Sequence, residues 1–299
     1  MNAAVVHSFD APPRYASFDD PVPTAKQQLV TVSAAGLHRI VKALANGTHY
    51  GSTTKPPFIP GIDGVGRLPD GTRVYFGAPG SFAEKVVTGY SWPLPDTIDD
   101  GTAAGIANPG MSSWAALKLR AQLVPGETVL ILGATGIAGM LAIQVAKRLG
   151  AKRVIAVGRN IERVKDLGAD VLISLDQEHD FRQEPFDIVL DYLWGPPAEE
   201  LIGSISQKGL EHKSSRIRFL QVGSTAGDRI SFPAEALRSS GLEMLGSGFG
   251  SVPIERILES VSEFLVEAAK NPFQFKAKAV PLRDVESLWN SGDRLVFQP

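Results

Sequence analysis

Thr128-Val129-Leu130-Ile131-Leu132-Gly133-Ala134-Thr135-Gly136-Ile137-Ala138-Gly139 decides how this chain is read. It opens as a continuous apolar run, the pattern of a strand buried on both faces. A stretch of small residues follows. Then Ile137, Leu141 and Val145 recur every four residues, the period of a helix that runs to Leu149. Lys147 and Arg148 lie in its last turn, where cations favour the helix dipole, and Gly150 stops it. Arg153-Val154-Ile155-Ala156-Val157 supplies a second strand. Between a buried strand and a helix, a glycine turn has a physical purpose. Small residues let the backbone approach a pyrophosphate, and free N–H groups at the helix start bind its charge. Gly139 lets the helix sit close to the strand. The expectation is dinucleotide binding through Gly133, Ala134, Thr135, Gly136, Ile137 and Ala138, with a purely structural tight turn as the alternative.

Working outward, the second strand ends at Val157-Gly158-Arg159-Asn160. Sites that prefer NAD usually place a carboxylate here for the ribose 2′-hydroxyl, and none occurs at 157–160. Arg159 can donate to a 2′-phosphate, and Gly158 would leave room for it. This favours NADP(H) over NAD; the alternative is a solvated surface arginine. Further apolar segments follow at 171–173, 187–190, 217–222 and 242–245, with helical stretches near 160–168, 198–207 and 233–240 between them. Six strands alternating with helices predict an α/β, doubly wound parallel sheet.

The flanks have a different texture. Residues 1–107 hold short strand-like runs at 29–35, 72–76 and 82–87, separated by Pro56-Pro57, Pro60-Gly61, Asp70-Gly71 and Pro79-Gly80. This is a compact, mostly β domain. After Asn108-Pro109-Gly110 a helix is predicted from Ser112 to Leu123. The parallel-sheet domain then spans 108–252. Residues 253–299 hold an amphipathic helix from Ile254 to Ala269 and a tail that returns to β character.

Composition sets the outer bounds. At about 150 residues per domain, 299 residues suggest two domains. Lys and Arg number 30 against 32 Asp and Glu, a net charge of −2. Near-neutrality gives no electrostatic reason for binding nucleic acid or an anionic membrane. No apolar run approaches the roughly 18 residues of a membrane span, and the N-terminus lacks a signal-peptide pattern. A cytoplasmic protein is the expectation. Cysteine is absent, which excludes disulfides, cysteine nucleophiles and cysteine-ligated metals.

With these residues in place, the chain resembles the medium-chain dehydrogenase/reductase superfamily, in its zinc-independent quinone oxidoreductase branch. Ala35-Gly36-Leu37-His38 through Gly47 is similar to the family's early loop and helix. Pro60-Gly61-Ile62-Asp63-Gly64-Val65-Gly66 resembles its PG-x-[DE]-x-x-G segment, and Gly71-Thr72-Arg73-Val74 its G-x-R-V strand. Pro125 to Leu130 and the glycine turn resemble its most specific stretch, and Gly292 to Val296 its C-terminal strand. The resemblance implies a Rossmann domain inserted in a GroES-like, mostly β domain, with the active site in the cleft. It also implies a homodimer that pairs the last Rossmann strands, here Leu242 to Phe249.

The resemblance implies the chemistry as well: hydride transfer from NADP(H) to a small electrophilic substrate, a quinone or an α,β-unsaturated carbonyl. No metal is expected. The zinc-ligand positions of related alcohol dehydrogenases hold His38 and Ile62-Asp63, two ligands where three are usual; a His/His/Asp set exists on paper only if His49 is recruited. Reduction leaves negative charge on oxygen, so a hydrogen-bond donor is needed. The branch's usual Asp and Tyr on the early helix are Val41 and Ala43 here. His38, Tyr50 and Ser112 remain as donors. His38 stands otherwise as a packed histidine, Tyr50 as a solvated loop residue, and Ser112 as a helix N-terminal residue. Asp63 is read as satisfying nearby backbone N–H groups. Val222, Gly223 and Ser224 resemble contacts to the nicotinamide ribose, and Phe249 another nicotinamide contact. Trp194 flanks the adenine side or is a half-buried loop aromatic. Two other readings stand beside this one. A methyltransferase also uses a glycine turn, and a catalytically impaired NADP(H)-binding regulatory or structural protein would explain Val41 and Ala43.

Overall fold

The computed structural model describes residues 1–206, 215–248 and 250–299. The chain divides into two compact units, Pro109–Ser260 and Met1–Asn108 together with Val261–Pro299.

The first unit is built on a six-stranded sheet, parallel throughout. Its spatial order is Val171–Ser174, Arg153–Gly158, Thr128–Leu132, Ile188–Asp191, Arg216–Gln221, Gly241–Gly246. The segments expected to be strands all join this sheet. Thr128–Leu132 lies at its centre, and Val129 to Leu132 are fully buried, as a two-faced apolar run requires. The chain leaves this strand toward one side for Arg153–Gly158 and returns to its other side for Ile188–Asp191. The carboxyl ends there form the crevice where such sheets bind ligands. Helix Ile137–Arg148 covers one face. Leu130, Leu132, Ile155, Val189 and Phe219 form one core with Leu201 and Ile202 of helix Gly195–Ile205.

Three helical expectations shift. The stretch near 160–168 is a 3-10 helix, Ile161–Leu167, bounded by Asn160 at φ 49° and Gly168 at φ 92°. Helix Gly195–Ile205 starts earlier than expected, because Pro196 and Pro197 fit its first turn, where a missing N–H costs nothing. The third correction concerns Asn108-Pro109-Gly110, which is not a break. Helix Asp100–Ala115 runs straight through it and continues as a π-helix, Ala116–Ala121, that ends at left-handed Gln122. Proline removes one backbone donor at position 109. The Ser112 hydroxyl donates to the Pro109 carbonyl at 2.7 Å, and Ser113 to Gly110 at 2.9 Å. Ser112 therefore lies in the helix body, not at its N-terminus.

The second unit is mostly β. Its main sheet runs Lys278–Pro281, Leu295–Gln298, Gln28–Gly36, Asp63–Arg67, Arg73–Gly77, Tyr90–Pro93, with Lys85–Thr88 also paired to Gln28–Gly36. The two ends of the chain meet here, Val296 opposite Gly36 and Phe297 opposite Ala35. Phe82 packs its ring on Phe297 at 5.5 Å and on Trp289 at 6.1 Å, so aromatic residues distant in sequence share this core. Among the described residues, no helix is long and apolar enough to cross a membrane.

Candidate active site

The glycine turn is held by the second strand. The N–H groups of Gly133 and Ala134 both donate to the Val157 carbonyl at 2.9 Å. Gly133 adopts φ 93°, a left-handed conformation that favours glycine. Gly136 is the extended residue before the helix, and the first helical bond runs from Met140 N–H to its carbonyl at 2.9 Å. The N–H groups of Ile137, Ala138 and Gly139 thus point out of the helix start with no intrahelical acceptor. A Cβ at Gly139 would stand 2.3 Å from the Gly133 carbonyl oxygen and 2.6 Å from Ala134 Cα. The helix therefore sits against the turn at a distance only glycine permits. An exposed row of donors at a helix start fits a pyrophosphate.

At the end of the second strand, Arg159 is exposed and makes no ion pair among the described residues. At Gly158 a Cβ would lie 3.0 Å from Thr135 Cγ2 and Oγ1, so the glycine also lets the second strand end close to the glycine turn.

Across the crevice, Asp191 ends its strand fully buried. Its carbonyl accepts from Val222 N–H at 2.8 Å and Gly223 N–H at 3.0 Å. Its Oδ1 accepts from Leu193 N–H at 2.8 Å and Trp194 N–H at 2.9 Å. Oδ2 has no partner, and burial pushes this carboxyl up to about 6. One residue thus shapes both loops, its carboxylate holding Leu193 and Trp194 and its backbone carbonyl holding Val222 and Gly223. A Cβ at Gly223 would approach the Tyr192 carbonyl to 2.9 Å, and one at Gly133 would approach Tyr192 Cβ to 3.2 Å. Gly133 and Gly223 consequently flank the same loop; Ser224, next along, is exposed. Trp194 packs edge-on to Phe219 at 6.3 Å, against the core. Phe249 lies outside the described residues.

The serine candidate has a neighbour the sequence reading missed. Ser112 Oγ lies 3.3 Å from the Tyr192 hydroxyl, and burial pushes this phenol up to about 12. The signal was positional: Tyr192 directly follows a strand end at the crevice.

His38 stands at the start of helix Arg39–Ala45, in the β-rich unit, and is 6% exposed. Its Nε2 is 3.9 Å from Asp63 Oδ1. Asp63 does not serve backbone N–H groups as expected. Its Oδ2 accepts from the Tyr75 hydroxyl at 2.8 Å, because the strand pairing sets Tyr75 opposite Val65, beside Asp63 on one face. Burial lowers the imidazole pKa and raises that of the Asp63 carboxyl. Tyr50 is 77% exposed, its ring 4.2 Å from that of His49. Val41 is buried in the core. Among the described residues, no group of three or more His, Asp or Glu is placed to hold a metal.

No protein-family model matches the chain. It is 30% identical to the probable NADPH-dependent quinone reductase tdiC of Emericella nidulans, with all of both chains covered. It is 30% identical to the quinone oxidoreductase of Rattus norvegicus over 146 residues, 44% of each chain. Among solved structures it superposes on the quinone oxidoreductase of Thermus thermophilus, also solved with NADPH. The TM-score is 0.85 and the identity 25%, with all of each chain covered.

Proposed function

The chain belongs to the medium-chain dehydrogenase/reductase superfamily, in its quinone oxidoreductase-like branch, and from that premise we propose that it is a zinc-independent, NADPH-dependent reductase of quinones or α,β-unsaturated carbonyls. The observation that carries this reading is the turn at Gly133–Gly139, whose free helix-start donors lie one strand away from Arg159, which makes no ion pair among the described residues and has no carboxylate at 157–160. Bound NADPH supplies the hydride. The chain binds and orients it. Ile137 and Ala138 N–H groups would hold the pyrophosphate, and Arg159 the 2′-phosphate. The Val222–Ser224 loop, set by the Asp191 carbonyl, would hold the nicotinamide ribose. His38 is the donor that stabilises negative charge on the reduced oxygen, and Ser112 with Tyr192 is a second polar pair for orientation. Tyr50, 77% exposed, is the weakest of the three donors. Among the described residues Gly241–Gly246 ends the sheet order with one edge unpaired, which supports a homodimer through that strand.

The test is NADPH oxidation with identified products against a benzoquinone, an ortho-quinone, an enal, an enone, an enoyl thioester and a saturated aldehyde. Turnover of the first five classes but not the saturated aldehyde is expected. Arg159→Asp should weaken NADPH binding roughly 10- to 150-fold, the value of one charge-assisted hydrogen bond, and leave NADH binding nearly unchanged. Equal loss for both cofactors overturns the NADPH assignment. Stoichiometric zinc in the purified enzyme overturns the zinc-independent reading.

A further inference from the structure

Tyr192 stands where the strand order of the parallel sheet reverses. Strand Thr128–Leu132 leads into Gly133, and its neighbour Ile188–Asp191 leads into Tyr192, so both open on the crevice at that reversal. A Cβ at Gly133 would lie 3.2 Å from Tyr192 Cβ, and one at Gly223 would lie 2.9 Å from the Tyr192 carbonyl oxygen. Tyr192 is thus set between two glycines that bring no side chain of their own. Its backbone is held on both sides. The N–H donates to the Leu132 carbonyl at 3.0 Å, and the carbonyl accepts from the Thr225 hydroxyl at 3.0 Å and the Thr225 N–H at 3.3 Å. The residue is 9% exposed, and its hydroxyl lies 3.3 Å from Ser112 Oγ.

Counting protons gives this contact a direction. A serine hydroxyl has one proton to donate. Ser112 gives its proton to the Pro109 carbonyl at 2.7 Å, and Ser113, also beside the phenol, gives its own to the Gly110 carbonyl at 2.9 Å. Tyr192 is therefore the donor to Ser112, and its oxygen keeps acceptor capacity that no described residue fills. A dinucleotide laid on this sheet places its adenosine ribose at the end of Arg153–Gly158. Its nicotinamide half then runs the other way, over the ends of Ile188–Asp191 and Arg216–Gln221, which is the side of Tyr192 and Gly223. The strong hydrogen-bond donor on a nicotinamide is its carboxamide N–H. Resting on the reading of this crevice as the NADP(H) site, we propose that the Tyr192 oxygen accepts from the nicotinamide carboxamide, and that Ser112 is the positioning residue that turns the phenol proton away from it. Burial pushes the phenol up to about 12, so this proton stays in place across the working pH range. A side chain held at backbone and hydroxyl fixes the rotation of the nicotinamide ring, and with it the face that gives up hydride.

Calorimetric binding to the full chain tests this without turnover. The probe is the 3-acetylpyridine analogue of NADP+, in which a methyl group replaces the amide NH2. The unmodified protein should bind NADP+ about three- to tenfold more tightly than the analogue, the value of one neutral hydrogen bond. Tyr192→Phe should abolish that preference, and its affinity for 2′,5′-ADP, which has no nicotinamide, should stay within about twofold of the parent, since no bond to that ligand is lost. Ser112→Ala should reduce the preference, because the phenol can then turn its proton toward the carboxamide, and Ser112→Thr should keep it. An unmodified protein that does not distinguish NADP+ from the analogue overturns the proposal. So does a Tyr192→Phe variant that binds 2′,5′-ADP and keeps the full preference. Should Tyr192→Phe lose 2′,5′-ADP binding altogether, Ser112→Ala decides by the same comparison, and an unchanged preference there overturns the proposal. If the unmodified protein binds neither NADP+ nor 2′,5′-ADP, the reading of the crevice as the cofactor site falls, and the proposal with it.

Discussion

One methyl group at Gly139 separates a turn built for close packing from a turn that is glycine-rich by chance. In Gly139→Ala the new Cβ would meet the Gly133 carbonyl oxygen at 2.3 Å and the Ala134 Cα and carbonyl carbon at 2.6 and 2.8 Å. Ordinary contact begins near 3.4 Å, so about 1 Å of separation is missing. All three neighbours are backbone atoms, and no side-chain rotation relieves them. Either the helix start must move outward by about 1 Å, or the turn must move away from Val157, which holds Gly133 and Ala134 by two bonds of 2.9 Å. Overpacking of this kind costs about 1–3 kcal/mol. A shift of about 1 Å also takes a 2.9 Å hydrogen bond beyond bonding range. Losing one charge-assisted bond from the helix start to the pyrophosphate costs about 1.5–3 kcal/mol, at least tenfold in affinity. Two measurements check this. Urea unfolding without cofactor should show a lower midpoint, and fluorescence titration should show NADPH and NADH weakened alike, unlike Arg159→Asp. An alanine variant with unchanged midpoint and NADPH affinity within twofold would refute the assigned role of this turn.

Two further outcomes follow from buried charges. The Asp191 carboxyl sits at about 6 against an ordinary value of 3.8, so the folded state binds more protons than the unfolded state between these values. Stability therefore falls as pH rises through that window and levels off above it. The loss reaches about 3 kcal/mol by pH 7.5, about 1.4 of it above pH 5. Asp191→Asn keeps an acceptor for Leu193 and Trp194, so its stability relative to the parent should rise by that amount between pH 5 and 7.5; parallel curves would count against it. Arg218 is 2% exposed, donates to the Ala121 carbonyl at 2.7 Å and pairs with Glu127, pinning the end of the π-helix to the sheet. Arg218→Ala should cost about 3 kcal/mol in urea unfolding by stranding that carbonyl and carboxylate, and Arg218→Met less, because its side chain refills the space.

Much of the fold was legible because local chemistry enforces it. Thr128–Leu132 is apolar on both faces, and its register with Arg153–Gly158 carries the same pattern. The glycine turn needs Gly133 for its dihedral angle and Gly139 for its contact, and both requirements are written in residue type. The helix through Pro109 was not legible. Proline and glycine ordinarily read as a break, and only the folded chain shows helix Asp100–Ala115 running through them, with Ser112 and Ser113 hydroxyls bonded back to the Pro109 and Gly110 carbonyls. Gly158 shows the same limit: a glycine announces that space is needed, and only the folded chain shows Thr135 lying against it.

By itself, the sequence determined the parallel-sheet domain, the dinucleotide turn, the lack of any cysteine ligand and the family to which the chain belongs. These depend on periodicities and residue types within short stretches. Tertiary structure decided how polar groups far apart in sequence are matched. Tyr75 and Asp63 become partners across a strand pair, and His38 joins them because Gly36 leaves room. Tyr192 comes to Ser112, and Asp191 governs the loop at Val222. No local pattern encodes these pairings. They arise because strand register and a shared low-dielectric interior set which side chains meet, and burial then sets how each holds its proton.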